Sequence, residues 1–499
     1  MDKRHGNRLH RRLQRWARWC ISLTVIVSPW LIGGAPRWTH ISLGVFVSAG
    51  VVIWLLSHIA DPYSELRGSK MIAGLVLVFG YLLLQQLQLP QALVGLVSPR
   101  AAQMTSDSAR VLSELHIPPG DAPHRTSPTS ALSASPGATR YALILLMTYA
   151  GVFIVISDTV RRTSHLRQIA TAVSISAFGL AIVSIAQALS GTREIYGLYE
   201  PRHAGATLFG PFTNRNHYAT QVNLALGITL GLSMMVRARD VKVPIRSLRE
   251  RVVRLFGSQE GGHRSILAFC SLMLAVSVMM SLSRGGILCM CIAGAIVIGV
   301  SSRLGLQGLS RPRVIFGLLA GVATFVVWLG WEPLMARVGT LGNVILDPFS
   351  DSRYHATRDT LKLFGAYPLF GCGFGCFQYA FPPFQGSDIQ FGRFLHAHND
   401  WVQVLAEGGI IGFGLVVSLV WLWGATICRG FWSTTDAGRR FLVGGLFGIA
   451  ATAAHSFLDY SLHKPANGLL LAMVCGLMTA AVHFRPRATP AGHEEDNPS

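Results

Sequence analysis

The chain has 499 residues, 51% of them hydrophobic and only 13% charged, with a formal net charge of +19. Its apolar residues gather in blocks of about 20, long enough to cross a bilayer, and lack the regularly spaced polar residues that give a soluble helix or strand its wet face. A soluble fold is excluded, and so is a nucleic-acid-binding role, because the positive charge is spread over short loops and forms no single patch.

The N-terminal tail, with Lys3, Arg4, Arg8, Arg11, Arg12, Arg15 and Arg18, precedes a first apolar block at 17–34. No small-residue cleavage site follows WCISLTVIVSPWLIGG and further blocks do, so this block is expected to remain as an anchor. Spans follow near 40–58 and 71–89. Segment 90–139 is rich in Pro, Ser, Ala and Gly and poor in aromatics, and is expected to be a poorly ordered insertion without chemistry. Spans near 141–158, 168–189 and 217–236 come next, the last preceded by GPFTNRNHYA.

In 237–264, PIRSLRERVVRLF sets Ile245, Leu248, Val252, Leu255 and Phe256 near one helical face with arginines flanking, a pattern suited to lying on an anionic leaflet. Spans near 265–282, 285–302 and 314–331 lead to a long polar segment, 332–408, and the last spans fall near 409–428, 441–459 and 466–483. Segment 332–408 predicts two short helices, DSRYHATRDTLKLFGAY and HNDWVQVLAE, joined by the aromatic stretch PLFGCGFGCFQYAFPPFQG. It is too long to be an ordinary connection and too hydrophobic to be disordered.

The expected fold is therefore an all-α polytopic membrane protein with about 12 transmembrane helices and a large folded loop between helices 9 and 10. Its regions are N-terminal helices at 1–89, the insertion at 90–139, central helices at 140–331, the folded loop at 332–408, C-terminal helices at 409–483 and a tail at 484–499. With the N-terminus inside, the cytoplasmic loops hold 28 Lys/Arg and 11 Asp/Glu, against 15 and 13 outside. That asymmetry puts both termini in the cytoplasm and the folded loop outside the cytoplasmic membrane.

The expected spans contain almost no ionisable residues, so mid-membrane transport of ions or protons is not indicated. Polar function belongs to the outward face, where GPFTNRNHYA, SLSRGG, DSRYHATRD and HAHND lie. Arg284 in SLSRGG has two readings: a snorkelling residue at a tight glycine turn, or a guanidinium open to an anion. Arg353 and Arg358 have acidic neighbours and read equally well as surface pairs. His396 and His398 alternate along an extended stretch and so point opposite ways, which is not a natural metal pair. Asn399 or Asp400 is a candidate helix cap. His398 at the helix start reads either as a structural hydrogen-bonding residue or as a base for a sugar hydroxyl. Cys372 and Cys376 face the oxidising side, where a disulfide is one alternative.

The stretch His398-Asn399, nine residues, then Gly409-Ile410-Ile411-Gly412 resembles the signature of O-antigen ligases and the related O-antigen polymerases. Phe413 follows where that family commonly has Thr or Tyr. The Arg-Gly turn at Arg284, Arg353 ahead of YPLFGCGFG, and GPFTNRNHYA before a span resemble the family in order and place, over roughly residues 200–430. The resemblance implies a metal-independent glycosyltransferase of the bacterial inner membrane with its active site on the periplasmic side and no cofactor. It would move a glycan from an undecaprenyl-diphosphate carrier to an acceptor hydroxyl, on lipid A core in a ligase or on another lipid-linked glycan in a polymerase. It assigns the diphosphate to Arg284 and Arg353 and the acceptor hydroxyl to His398. His396, Asn399, Asp400, Asn214 and Arg215 are further candidates for binding glycan. The patch Asp459-Tyr460 with His463-Lys464 reads first as an interfacial anchor. A lipid-glycan transporter would show broken or charged spans and repeat symmetry, and neither is evident. A non-catalytic assembly scaffold is the remaining alternative.

Overall fold

The structure, a computed structural model, describes residues 3–114, 129–192, 194–201, 206–236, 259–305, 352–386 and 393–485. The expected ninth span at 314–331, segment 332–351 and most of the basic segment 237–264 lie outside the described residues. Within them the chain is helical almost throughout. The longer helices are α1 (Lys3–Val27), α2 (Arg37–Ala60), α3 (Ser69–Gln86), α6 (Pro136–Thr159), α7 (Thr163–Ser190) and α8 (Arg215–Met235). They continue with α9 (Gln259–Met280), α10 (Arg284–Arg303), α13 (Asp400–Phe431), α14 (Asp436–His455) and α15 (Pro465–Ala481). These occupy every expected span position that falls within the described residues. Among the described residues, 7 helices (α2, α3, α6, α7, α9, α10 and α13) are long and apolar enough to cross a membrane. The chain is an all-α polytopic membrane protein.

Helix α8 is the axis of the bundle, buried along almost all of its length. It is only weakly apolar, and what brings its neighbour close is a lack of side chains. Gly227 and Gly231 face Gly444 and Gly448 of α14, so closely that a Cβ on Gly444 would stand 2.1 Å from the Gly231 Cα. Likewise, a Cβ on Gly227 would stand 2.6 Å from the Gly448 nitrogen. Paired small residues four apart let two backbones meet in a membrane, where helix association depends on van der Waals contact.

At one end of the bundle, the fully buried Asp158 at the end of α6 ties three helices together. It accepts from Arg161 Nη2 (2.8 Å), Trp54 Nε1 (2.9 Å) and Gln14 Nε2 (3.4 Å), with His58 Nε2 at 3.0 Å. A buried carboxylate is tolerable only with such partners.

At the other end a second, smaller core forms outside the bundle. Residues 91–114, expected to be poorly ordered, instead make α4 (Gln91–Val97) and α5 (Pro99–Glu114). Leu89–Pro90 and Thr129–Ser130 pair as a short antiparallel ladder beside them. Val94, Ala101 and Leu132 are buried against Leu363 of α11 (Ser352–Ala366), Tyr367 just after that helix and Phe377 of α12 (Phe377–Ala380). The apolar positions of a Pro/Ser/Ala-rich stretch became ordered because a hydrophobic partner lay far away in sequence.

Substitution Gly444→Leu should destabilise the bundle, since overpacking a tight contact costs about 1–3 kcal/mol. The expected result is a clearly lower thermal midpoint of the detergent-solubilised protein, whereas Gly424→Leu, with nothing within 4 Å, should leave the midpoint unchanged. Equal midpoints for the two variants would contradict the described helix crossing.

Candidate active site

The site is organised around the start of α13. Asn399 is its cap, the side-chain oxygen accepting from the Val402 N–H at 3.1 Å. The helix runs to Gly408 and breaks at Gly409, whose φ of 62° and ψ of −171° suit glycine alone. The turn after α11 takes up the interrupted hydrogen bonds. Ile410 N–H donates to the Pro368 carbonyl (2.8 Å), Cys372 N–H to Ala406 (3.0 Å) and Gly373 N–H to Glu407 (3.0 Å). From α3, Tyr81 O–H donates to the Gly408 carbonyl (2.6 Å) and Gln85 Nε2 to the Phe370 carbonyl (2.7 Å). Tyr81 also sets the need for Gly412, where a Cβ would stand 2.7 Å from the tyrosine ring. The two glycines at 409 and 412 thus have separate causes, a backbone angle and a ring. What the sequence reads as a short helix followed by a span is one helix with a break.

Below the joint, the buried Glu407 carboxylate accepts from Gly375 N–H (2.9 Å) and Phe377 N–H (3.1 Å), fixing the GCGFGC turn. Cys372 and Cys376 are buried free thiols in that turn. Their pKa values are raised, chiefly by burial.

His398 stands just before the helix with a φ of 56°, an uncommon left-handed conformation for a residue with a Cβ. This angle overturns the expectation that His396 and His398 point opposite ways. Left-handed backbone ends the extended alternation, and both rings meet Tyr460: His396 stacked at 4.4 Å and His398 edge-on at 4.8 Å between centroids. Beside them is Asp459, fully buried. Its Oδ1 lies 3.8 Å from His398 Nδ1 and 3.9 Å from His217 Nε2, and accepts from Tyr460 N–H at 2.7 Å. Its Oδ2 accepts from Asn216 Nδ2, and Asn216 Oδ1 accepts from Ser283 Oγ at 2.7 Å, which links the carboxylate to the residue preceding Arg284.

Arg353 reaches the short segment 455–459, and the turn that carries Arg284 packs beside it. Arg353 on α11 donates from Nη1 to the Leu458 carbonyl at 3.3 Å, and its charge acts on Asp459, His455 and Tyr460. Arg284 opens α10, where Ser283 caps the helix by accepting from Gly286 N–H at 3.1 Å. A Cβ on Gly285 would stand 3.0 Å from His455 Nε2 and 3.5 Å from Leu458, so the glycine turn lets Arg284 be presented beside the cluster. Asn214 caps α8, its side chain accepting from Asn216 N–H at 2.8 Å, and lies near Tyr460. Arg215 N–H donates to the Thr207 carbonyl at 2.8 Å. Arg358 and Lys362 hold Asp359, which is buried and not a solvated surface partner as expected.

Asp400 points away from His398 toward His463. His463 Nδ1 donates to Asp400 Oδ1 at 3.0 Å, and Ser456 Oγ donates to Oδ2 at 2.9 Å. Gln403 Nε2 donates to Glu407 Oε1 at 3.1 Å and stands 3.1 Å from His463 Nε2 and 3.3 Å from His396 Nδ1. The His396 and His463 rings, 4.5 Å apart and tilted to one another, are pushed in opposite directions. Burial, assisted by His463 and Lys464, drives His396 well below the usual histidine range and keeps it neutral. Burial also acts to lower His463, but the Asp400 carboxylate outweighs it and raises His463 above the ordinary 6.5.

Sequence reasoning missed Asn216, His217, Ser283, His455, Gln403 and Glu407, and ranked the 459–464 patch as an anchor. Among the described residues no group of three His, Cys, Asp or Glu is placed to hold a metal ion.

A histidine raised on folding contributes stability that is complete below the unfolded value and is lost as pH rises through the folded one. The His463–Asp400 pair should therefore add to the thermal midpoint below about 6.5 and progressively less above it. Melting curves of wild type and Asp400→Asn should diverge most at acidic pH and converge as pH rises; a difference that grows with pH would contradict the pairing.

No curated protein matches the chain. Residues 269–417 match the family model described as O-antigen ligase. Arg284, Arg353 and the whole run from His398 to Gly412 lie within the match, so this part of the chain is similar to the O-antigen ligase family.

Proposed function

We propose that this protein transfers a glycan from an undecaprenyl-diphosphate carrier to an acceptor hydroxyl at the periplasmic face of the inner membrane, with lipid A core as the acceptor. The observation that carries the reading is the convergence on one buried carboxylate. Asp459 has His398 Nδ1 at 3.8 Å, and Arg353 hydrogen-bonds the carbonyl of the preceding residue.

In this reading the acceptor oxygen attacks the anomeric carbon while the bond from that carbon to the diphosphate oxygen breaks. The acceptor proton passes to a ring nitrogen of His398, and Asp459 favours the imidazolium that forms. The electron pair leaves with undecaprenyl diphosphate. Arg284 and Arg353 neutralise the charge that grows there, and guanidiniums suit the task because their planar forks contact two phosphate oxygens at once. A single displacement of this kind inverts the anomeric centre. His396, Asn399 and Asn214 shape the glycan side, and Asp400 acts through His463.

Replacing His398 with Ala should abolish transfer in a normally accumulating protein, a loss of general-base catalysis being about 100-fold or more. Arg284→Lys and Arg353→Lys should each recover little activity, since a point charge lacks the fork contact. Normal surface glycan in the His398→Ala strain would sink the catalytic assignment, and full activity of the Lys variants would sink the clamp. Deleting the gene and resolving envelope polysaccharides on a gel identifies the acceptor. Loss of all capped lipid A core is the expected result; retention of a single repeat, or loss of a secreted polymer alone, would replace the ligase reading with a polymerase one.

A further inference from the structure

Gln403 is buried near the start of α13, and both ends of its amide are engaged. Its Oε1 accepts from the Ala397 N–H at 3.0 Å, which fixes which way round the amide sits and leaves two protons on Nε2. Three acceptors compete for those two protons: Glu407 Oε1 and His463 Nε2, each at 3.1 Å, and His396 Nδ1 at 3.3 Å. His463 can accept only while that nitrogen is bare. Its Nδ1–H is committed to Asp400 Oδ1 at 3.0 Å, so the bare nitrogen exists in the neutral ring and is lost in the imidazolium.

A charged His463 therefore sets an N–H against the N–H groups of Gln403. Rotating the amide by half a turn does not repair this, because its oxygen would then face the Glu407 carboxylate and its nitrogen the Ala397 N–H. Ala397 and Gln403 are both buried, where an unpaired donor is costly. The bond at risk bears on His398, the next residue along. Gln403 holds the Ala397 N–H, and the Ala397 carbonyl accepts from Thr357 Oγ1 of α11 at 3.3 Å. Between them these bonds hold the segment in which His398 takes its φ of 56°, a conformation that persists only where the surroundings impose it.

The groups that face His463 are Asp400 and Glu407 of α13, the His396 ring at 4.5 Å, and Tyr460 and Lys464 of its own turn, with His217 of α8 against Tyr460. Burial favours the neutral ring and Lys464 assists it, but the two carboxylates outweigh them, so the ring takes up its proton above the ordinary 6.5.

We propose that Gln403 is a positioning residue for His398, holding it in place only while His463 is neutral, so that protonation of His463 loosens segment 396–398 and slows transfer. The proposal rests on the glycan-transfer reading for what His398 does.

The test measures transfer against pH with the full-length protein in nanodiscs. It also titrates His463 through the NMR signals of its ring nitrogens, identified as those missing in His463→Gln. Gln403→Met keeps the length and removes the amide; His463→Gln keeps an acceptor for Gln403 and never charges. Gln403→Met should lower kcat about tenfold or more at every pH with the donor KM nearly unchanged. It should also raise the pH at which His463 titrates, because the neutral ring has lost its donor. In His463→Gln the acid limb of the kcat profile should move to lower pH, leaving the ionisation of His398 to set it. A normal kcat or an unshifted His463 titration in Gln403→Met overturns the proposal. So does an acid limb that stays in place in His463→Gln, the outcome of a merely structural role, and this variant decides alone where Gln403→Met does not accumulate. If His398→Ala retains transfer, the assignment of the base fails, and the ring titration, which needs no turnover, still decides whether Gln403 and His463 are coupled.

Discussion

The arrangement depends on a backbone joint, the meeting of the broken helix at Gly409 with the turn that contains Gly371. At that joint α13 ceases to satisfy its own hydrogen bonds and lends carbonyls 406 and 407 to the Cys372 and Gly373 amides, while Pro368 accepts from Ile410. In hydrocarbon, unsatisfied peptide groups cost several kcal/mol each, so the exchange must be nearly complete for the break to exist. Tyr81 and Gln85 close the remaining gaps from α3. The result is one rigid piece that includes the start of α13, the GCGFGC turn and the second core built by α4 and α5. His398 and Asn399 sit at the end of that piece, and Arg353 reaches the site from α11, which Leu363 and the following Tyr367 anchor in the same core.

Facing this piece is a second one, the α8–α14 pair with its glycine crossing. It supplies Asn214, Asn216 and His217 from one helix and His455 from the other, with Asp459 a few residues beyond. The site lies where these two pieces meet, and Tyr460 is their shared surface, touching His396 and His398 on one side and His217 on the other. Charge balance explains why both sides are needed. Buried Asp459 accepts from Asn216 on α8 and has His398 of the loop 3.8 Å away, so both pieces contribute to its surroundings.

Much of the fold was legible because membrane spans announce themselves by length and hydropathy, and every expected span within the described residues is a helix. The motif around His398 was legible for a related reason: a glycine required by a backbone angle and another required by a ring leave a fixed spacing in the sequence. The remaining site residues left no such mark. His217 and Asn216 lie at the start of a weakly apolar helix and look like interface polarity until Asp459, far along the chain, is brought beside them. Gln403 and Glu407 read as the wet face of an amphipathic helix, yet both are buried under the GCGFGC turn. The alternation rule misplaced His398 because it assumes extended backbone, which a φ of 56° denies. Residues 91–114 were misread because their few apolar residues match a partner found only in the folded chain.

The joint also bears on how this protein tolerates genetic change. A Cβ at Gly371 would stand 2.2 Å from the Glu407 carbonyl oxygen, and one at Gly409 would stand 2.3 Å from that of Leu369. In each case the obstructing atom is backbone, so no shortening of a neighbouring side chain makes room. Second-site suppressors ordinarily work by giving up volume across a contact, and here neither partner has any to give. Lesions at these two codons are therefore beyond rescue by any single compensating replacement, whereas one at Gly412, which opposes the ring of Tyr81, retains an escape through a smaller residue at position 81.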